Sequence, residues 1–481
     1  MSVGRTLSCA ARGVGPDSTS RGSHPRANKN NNILRDLPVN ALKSTTPVVS
    51  TTSPSLNEGQ AEAAEAFFQF LFDDQNEMII SGGGGVGKTF LMGHLIDVIL
   101  PRYFETCKLM GMLPEYDSVE MTTTTNKAAE ALAEATKRPT GTIHSFLGLR
   151  VHEDYSTGES KLTKTDAWQV HQRKIIFIDE CSMIDAALDH AIQEGTHLCK
   201  VVYVGDHCQL APIRETLSPI YRRGLPFYEL TEPMRNAGQP ELMALCNQLR
   251  QTVETGVFQP IQIVPGVIDW FDDATMQQEL VATFQNQTKD ARILAYTNRR
   301  VVEYNDFVRN IRHLPPEFTV GEYLINNSVI QLQRRQLSVE EEVSILRQAR
   351  HTESVEISEN VVLEVRRTDL QTKLGEIFRD VPIHVDREHY DALLKWYKTK
   401  KDWVRHYHLK NKFPDLRQRD AATVHKSQGS TYDVVFIDVG NISSCNFVNQ
   451  VARMLYVAVS RPRKRIVFYG KLSEKYGGLV R

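Results

Sequence analysis

No stretch of this 481-residue chain reaches the roughly 18 consecutive apolar residues that a membrane-spanning helix needs. The chain also has almost no net charge. Its 57 Lys and Arg against 58 Asp and Glu leave −1 at pH 7, so no global basic field announces a nucleic-acid partner. That does not exclude one, because a groove that grips a strand needs only local positive charge and stacking faces. The seven cysteines (Cys9, Cys107, Cys181, Cys199, Cys208, Cys246, Cys445) are scattered and contain no CxxC pair. Their odd number and spacing argue against a disulfide framework or a zinc site, and point to reduced thiols in a cytosolic setting. Cys181 and Cys208 stand beside motifs described below and read as small buried fillers.

Residues 1–54 lack Phe, Tyr and Trp and carry only Asp17 and Asp36 as acids. Such a segment cannot bury enough apolar surface to offset its chain entropy, so a disordered basic tail is expected. An organelle-targeting start and a basic arm that touches DNA stay open as alternatives. From Ser55 onward, short apolar strands alternate with helical stretches. The strand candidates are Met78–Ile80, Val119–Thr123, Lys174–Ile178, Val201–Val204, Ile293–Tyr296, Val434–Val439 and Ile466–Tyr469. This alternation predicts α/β architecture with parallel sheets covered on both faces. The pattern breaks from about 312 to 418, where charged, irregular sequence intervenes.

What is present is a phosphate loop. Gly82-Gly83-Gly84-Gly85-Val86-Gly87-Lys88-Thr89 fits G-x-x-x-x-G-K-[ST], with an apolar strand before it and a predicted helix, Phe90–Leu100, after it. Glycines let the backbone N–H groups face phosphates at a helix N-terminus whose dipole favours anions. Lys88 would reach the β- and γ-phosphates, and Thr89 would bind Mg²⁺. A second apolar run, Lys174–Ile178, ends in Asp179 and Glu180. Asp179 can hold Mg²⁺, and Glu180 can orient and deprotonate the attacking water. Together these make an NTP hydrolysis site. Upstream, Asn57 and Gln60 form a capping-box pattern that opens the helix through Ala61–Phe72. Gln60 could equally pair with adenine, and the two readings are compatible.

Seven further segments follow in order: Thr122–Leu132 (TTTTNKAAEAL), Gly141–Leu149 (GTIHSFLGL), Val204–Ile213 (VGDHCQLAPI), Leu230–Asn236 (LTEPMRN), Ala295–Asn305 (AYTNRRVVEYN), Ala422–Asp433 (ATVHKSQGSTYD) and Leu455–Arg463 (LYVAVSRPR). With the phosphate loop, they resemble the motifs of superfamily-1 helicases, in the RecD/Dda branch. The resemblance runs from about 57 to the C-terminus and leaves the tail outside. It implies ATP and Mg²⁺ as cofactors, and it adds Phe90 and Gly429 to the nucleotide contacts. It makes Gln209 a γ-phosphate sensor and sets Arg235 and Arg461 on the γ-phosphate from across a cleft. Either arginine alone would read as a surface ion-pair partner. Thr125, Asn126, Thr142, His144, Thr297, Asn298, Thr423, His425, Lys426 and Ser427 would line the single-strand groove. Such groups bond phosphates and sugars without reading bases, although singly each is more often a cap or turn residue. One departure is visible: the family's usual Ala-Pro-Thr reads Thr123-Thr124-Thr125 here, which puts the rigidity of that segment in question.

Two accessory pieces remain. Leu149–Thr163 reads as a hairpin turning at Ser156-Thr157-Gly158-Glu159. It falls where the family carries its strand-separating pin, with Tyr155 the candidate wedge; an exposed hairpin without mechanical work is the plainer reading. Asp391–Arg419 interleaves Lys and Arg with Trp396, Tyr397, Trp403 and Tyr407. Trp396, Trp403 and Tyr407 lie at spacings of seven and four, which favours a core-facing helical stripe over a nucleic-acid surface. By resemblance, this interval holds a small SH3-like β-barrel that braces the pin.

The expectation is two RecA-like domains, 55–235 and 236–481, with the pin at about 149–172 and the barrel at about 312–418. ATP would sit in the cleft between them. The expected activity is ATP-driven translocation on single-stranded DNA and unwinding of forked duplex DNA, 5′→3′ by resemblance, by a cytoplasmic monomer with no membrane role. Single-strand-binding or replication proteins are further candidate partners. A translocase that strips proteins without separating strands, a non-motor DNA-binding mediator with a relic ATPase, and an RNA helicase are the rivals. Intact Lys88, Asp179, Glu180, Gln209, Arg235 and Arg461 argue against the relic.

Overall fold

The Val- and Ile-rich runs become the central strands of two parallel sheets. The structure, a computed structural model, describes residues 55–212, 215–232, 239–332 and 335–480. The expected tail, 1–54, and Arg235 lie outside the described residues. The elements below belong to one compact unit, Leu56–Arg481.

In the first sheet the strands run in the order Phe227–Leu230, Glu77–Gly82, Lys200–Gly205, Lys174–Asp179, Ser118–Thr123 and Gly141–Thr142. All neighbours are parallel. Alternate residues serve opposite faces: Met78, Ile80, Phe177 and Val202 join one core, whereas Ile79, Ile176, Ile178 and Tyr203 join the other. That is the period-2 geometry of a strand buried on both sides. The second sheet runs Ile268–Phe271, Pro462–Tyr469, Tyr432–Asp438, Ala291–Ala295 and Ala421–Thr423, again all parallel. All seven expected strands are present. The edge strands Phe227–Leu230, Gly141–Thr142, Ile268–Phe271 and Ala421–Thr423 escaped sequence reading because two to four residues carry no readable period.

Asn57 caps the helix Glu58–Phe70 with both bonds of the capping box. The helix expected at Phe90–Leu100 starts at Lys88 and gives way at Leu95–Ile99 to a π turn, after which Leu100–Leu109 continues. Pro101 lacks the N–H that a regular i→i−4 ladder would need there.

The interval 312–418 is not irregular. It holds an antiparallel sheet in the order Glu353–Ser358, Val361–Thr372, Glu342–Gln348, Tyr323–Asn326 and Leu416–Gln418, with Ile377–His384 also paired to Val361–Thr372. Two helices follow that strand, Arg387–Thr399 and Trp403–Lys412. The expected stripe therefore needs correction. Lys401, in the left-handed region at φ 56°, breaks the helix between Trp396 and Trp403, so the spacing of seven crosses a turn. Trp396 is 49% exposed, Trp403 is half-buried, and Tyr407 alone is fully inside.

His384, at the end of this sheet, is buried and stacks on Tyr390 with ring centroids 4.4 Å apart. Neither ring nitrogen has a hydrogen-bond partner among the described residues. Burial, reinforced by nearby Arg387, holds its pKa down at about 4. The folded ring is thus neutral where an unfolded histidine, near 6.5, begins to take a proton. Its contribution to stability is intact above pH 6.5 and is lost as pH falls toward 4. At pH 4.5 this should cost about 2–3 kcal/mol relative to pH 7. Urea unfolding of the wild type and His384→Phe at the two pH values checks this, since the variant should lose less stability by that amount.

Candidate nucleotide site and strand groove

Because the first sheet is parallel, the strands ending at Gly82, Thr123, Asp179 and Gly205 all deliver their next residues to the same edge, where α/β sheets bind ligands. Gly85 and Gly87 adopt φ of 86° and 82°, so the loop's curl requires residues without a Cβ. Gly82 is also packed too tightly for one, since an added Cβ would lie 2.7 Å from Val86 and 2.8 Å from the Leu230 carbonyl. Lys88 bends back over the loop, donating to the carbonyls of Gly82 (2.7 Å) and Gly83 (3.0 Å). Thr89 and Phe90 follow in the first turn of the helix, both half-buried. Gln60 is fully buried and its amide donates to the Val86 carbonyl at 3.1 Å, so it braces the loop as well as capping its own helix.

Asp179 lies under this loop. Burial, with the neighbouring Glu180 carboxylate adding to it, pushes its carboxyl well above the usual range, against the pull of Lys88. Two adjacent carboxylates beside one ammonium are short of positive charge, which suits a divalent cation held by Asp179 and Thr89. Glu180 sits in the left-handed region at φ 55°. Such strain costs a non-glycine residue about 1–3 kcal/mol and clusters at functional sites. It turns the carboxylate toward Gly429, where an added Cβ would stand 3.8 Å from Oε1. Cys181 and Cys208 are completely buried, as fillers should be.

Gln209 is buried beside Asp206, to which its amide donates at 3.4 Å, and its Oε1 has no partner among the described residues. Arg461 does not point freely into the cleft. It is buried and donates to the Val457 and Ser430 carbonyls and to Ser460 Oγ. Ser460, its neighbour, faces Gly84.

A groove of about 1280 Å³ opens beside Glu180 and Gly429. Thr125, Asn126, Thr142, His144, His425 and Lys426 line it, six of the ten residues named from sequence. Thr125 and Thr142 each cap a helix, accepting from Ala128 N and Ser145 N. The plain cap reading is therefore present, and it aims two helix N-termini at the groove, where their N–H groups favour phosphate. Burial lowers the pKa of both His144 and His425. The missing proline is compensated by hydroxyls: Thr122 donates to the Phe177 carbonyl, Thr123 to that of Thr125 and Thr124 to that of Glu180.

The other four residues do not line this groove. Thr297 lines a separate recess of about 490 Å³ with Arg300, Asp438 and Asn441, and Asn298 opens the helix that Thr297 caps. Thr423 and Ser427 are buried; Ser427 donates to the Val424 carbonyl and Thr423 accepts from Lys426 N. The expectation that they contact a strand directly is corrected to support beneath Lys426.

Sequence reading missed the groove residues Glu340, Lys410 and Glu153. Lys426 is paired with Glu340 at 2.7 Å, and Lys410 with Glu153 at 2.7 Å. The second pair ties the hairpin Leu149–Glu153/Ser160–Lys164 to the helix Trp403–Lys412. At the hairpin tip Tyr155 meets Tyr407 edge-on, centroids 5.2 Å apart. Gly158, at φ 74°, lies flat on Trp403. No local pattern signals the hairpin's partners, which lie about 250 residues away in the chain.

Residues 65–215 match the AAA domain family, and residues 420–469 match the UvrD-like helicase C-terminal domain family. The ATP-dependent DNA helicase dda of Enterobacteria phage T4 is 23% identical over 462 residues, covering 87% of this chain and 100% of that protein. An uncharacterised protein of Acanthamoeba polyphaga mimivirus is 21% identical over 500 residues, covering 86% and 99%. A crystal structure of a Pif1 helicase from Bacteroides in complex with ADP-AlF3 and ssDNA aligns at TM-score 0.48 and 14% identity, over 87% of this chain and 94% of that one.

Proposed function

We propose, from the premise that this chain is a superfamily-1 helicase of the Dda type, that it hydrolyses ATP to move along single-stranded DNA in the 5′→3′ direction and to part forked duplexes. The observation that carries this reading is the shared wall. Glu180 follows Asp179 beneath the phosphate loop and also lines the groove. Hydrolysis and strand grip thus meet at one residue.

In this reading the halves 55–235 and 236–481 are two RecA-like domains, and the 312–418 interval is the SH3-like barrel. Lys88 leaves the Gly82 and Gly83 carbonyls to meet the phosphates, and Gln60 fixes the loop that the nucleotide sits on. Mg²⁺, held by Asp179 and Thr89, would supply charge neutralisation. Glu180 orients the attacking water and takes its proton. Arg461 stays buried behind Ser460 until the cleft tightens, and Arg235 is its partner cation. Phosphates of the strand lie along the helix N-termini at Thr125 and Thr142 and on His425 and Lys426. Thr297 and Asn298 extend the path. Tyr155, at the mouth of the groove, is the wedge.

Since burial raises the Asp179 carboxyl, a proton competes with Mg²⁺ there. The apparent Mg²⁺ affinity of the ATPase should fall as pH is lowered, and that dependence should vanish in Asp179→Asn, read as Mg²⁺ binding by calorimetry in the presence of nucleotide. The reading as a whole is tested by steady-state ATPase with and without a single-stranded oligonucleotide. Strong stimulation by the strand and little by blunt duplex is expected; equal rates in all three conditions would refute it.

A further inference from the structure

The helix Val448–Val459 carries polar side chains at Gln450, Arg453 and Tyr456, spaced by three, and Ser460 follows at its C-cap. Residues at this spacing share one face. Each meets a different layer of the molecule in order. Gln450 Nε2 is 3.3 Å from His425 Nε2, on the strand groove. Arg453 donates to the carbonyls of His207 (2.5 Å) and Gln209 (2.6 Å). Tyr456 donates to Asp206 Oδ2 at 2.6 Å, and its hydroxyl stands 3.1 Å from where a Cβ on Gly83 would lie. Ser460 faces Gly84. From Gln450 to Ser460 the rise is about 15 Å, and the file leads from groove to phosphate loop.

The partner of this face is the loop 206–210, which leaves the first sheet and is clasped by the second half. Cys208 and Leu210 belong to the second half's core. Asp206 is fully buried, and besides Tyr456 it accepts from Arg250 Nη1 at 2.9 Å. Arg250, on the helix Pro240–Thr255, also reaches Glu229 at 2.6 Å. The Leu210 carbonyl accepts from Gln428, a groove residue, at 3.5 Å. Arg453 is half-buried with no carboxylate partner among the described residues, so its guanidinium serves backbone carbonyls of the loop that bears Gln209.

We propose that Arg453 and Tyr456 are positioning residues that make this helix a rigid link between nucleotide state and strand grip, acting through the loop 206–210. The link rests on the motor reading above. A change at Gly83 or Gln209 moves Asp206 or the Gln209 carbonyl, the helix follows as one body, and His425 shifts at its far end. Coupling between two sites is reciprocal: if nucleotide alters strand affinity, strand alters nucleotide affinity by the same factor.

The test uses the full chain and a labelled oligo-dT strand, with affinity measured without nucleotide and with a non-hydrolysable ATP analogue and Mg²⁺. The wild type should change strand affinity by roughly 5–150-fold on binding the analogue. Arg453→Met and Tyr456→Phe should keep the nucleotide-free strand affinity and lose that change, and Arg453→Lys should restore part of it. Tyr456→Phe removes one hydroxyl only and keeps the test valid if Arg453→Met folds poorly. Both variants retaining the full nucleotide effect would overturn the proposal. So would a loss of nucleotide-free strand affinity in both, which would make the helix merely part of the groove. A wild type that shows no strand-stimulated ATPase would instead overturn the motor reading, and the link with it.

Discussion

Glu180→Gln should keep ATP binding and lower turnover by about 10²–10⁴-fold, the range for loss of a general base. The side chains are nearly isosteric, so packing around the strained backbone at φ 55° is kept. Only proton acceptance is removed. Presteady-state measurement with radiolabelled ATP would separate binding from turnover. A variant that hydrolyses ATP within a few-fold of the wild type would place the base elsewhere.

The second large effect concerns the hairpin. A Cβ on Gly158 would lie 2.4 Å from the Trp403 ring, and φ of 74° is itself unfavourable for an L-residue. Overpacking of this kind costs about 1–3 kcal/mol, so Gly158→Val should weaken the docking equilibrium of the hairpin by about 5–150-fold. The Lys410–Glu153 pair and the Tyr155–Tyr407 contact lie at the same junction. Undocking should therefore cost most of the unwinding activity and spare strand-stimulated ATP hydrolysis, because the hairpin lies outside the phosphate loop. Replacing 154–160 by Gly-Ser should do the same more completely. Equal loss of both activities would show that the hairpin shapes the groove and does no work on the duplex. Trp403→Ala distinguishes the contact from the turn, since it removes the platform and leaves the hairpin's backbone intact.

The central strands, the phosphate loop and its carboxylates were legible because each is written locally: a Val/Ile run, a glycine spacing, an acid pair at a strand end. Thr125 and Thr142 were legible twice over, as caps and as groove residues, since an N-cap is also where a helix offers free N–H groups. Three kinds of feature were not readable. Arg461 is motif-perfect but turned onto Ser430 and Val457, an orientation set by packing. The aromatic spacing around Trp403 mimicked one helix although Lys401 divides two. The contacts that join the halves, Arg250 to Asp206, Arg453 to Gln209 and Lys410 to Glu153, link segments with no common local pattern. Ser427 shows the converse: a motif position whose hydroxyl serves the Val424 carbonyl within the turn.

The central claim, an ATP-driven motor that parts DNA strands from the 5′ side, is tested most directly by unwinding of a duplex offered with only a 5′ or only a 3′ single-stranded tail, with Glu180→Gln as the inactive control. The account predicts ATP-dependent unwinding from the 5′ tail alone. Unwinding from the 3′ tail alone would contradict the direction, and strand-stimulated ATPase without unwinding on either substrate would contradict the helicase reading and leave a translocase.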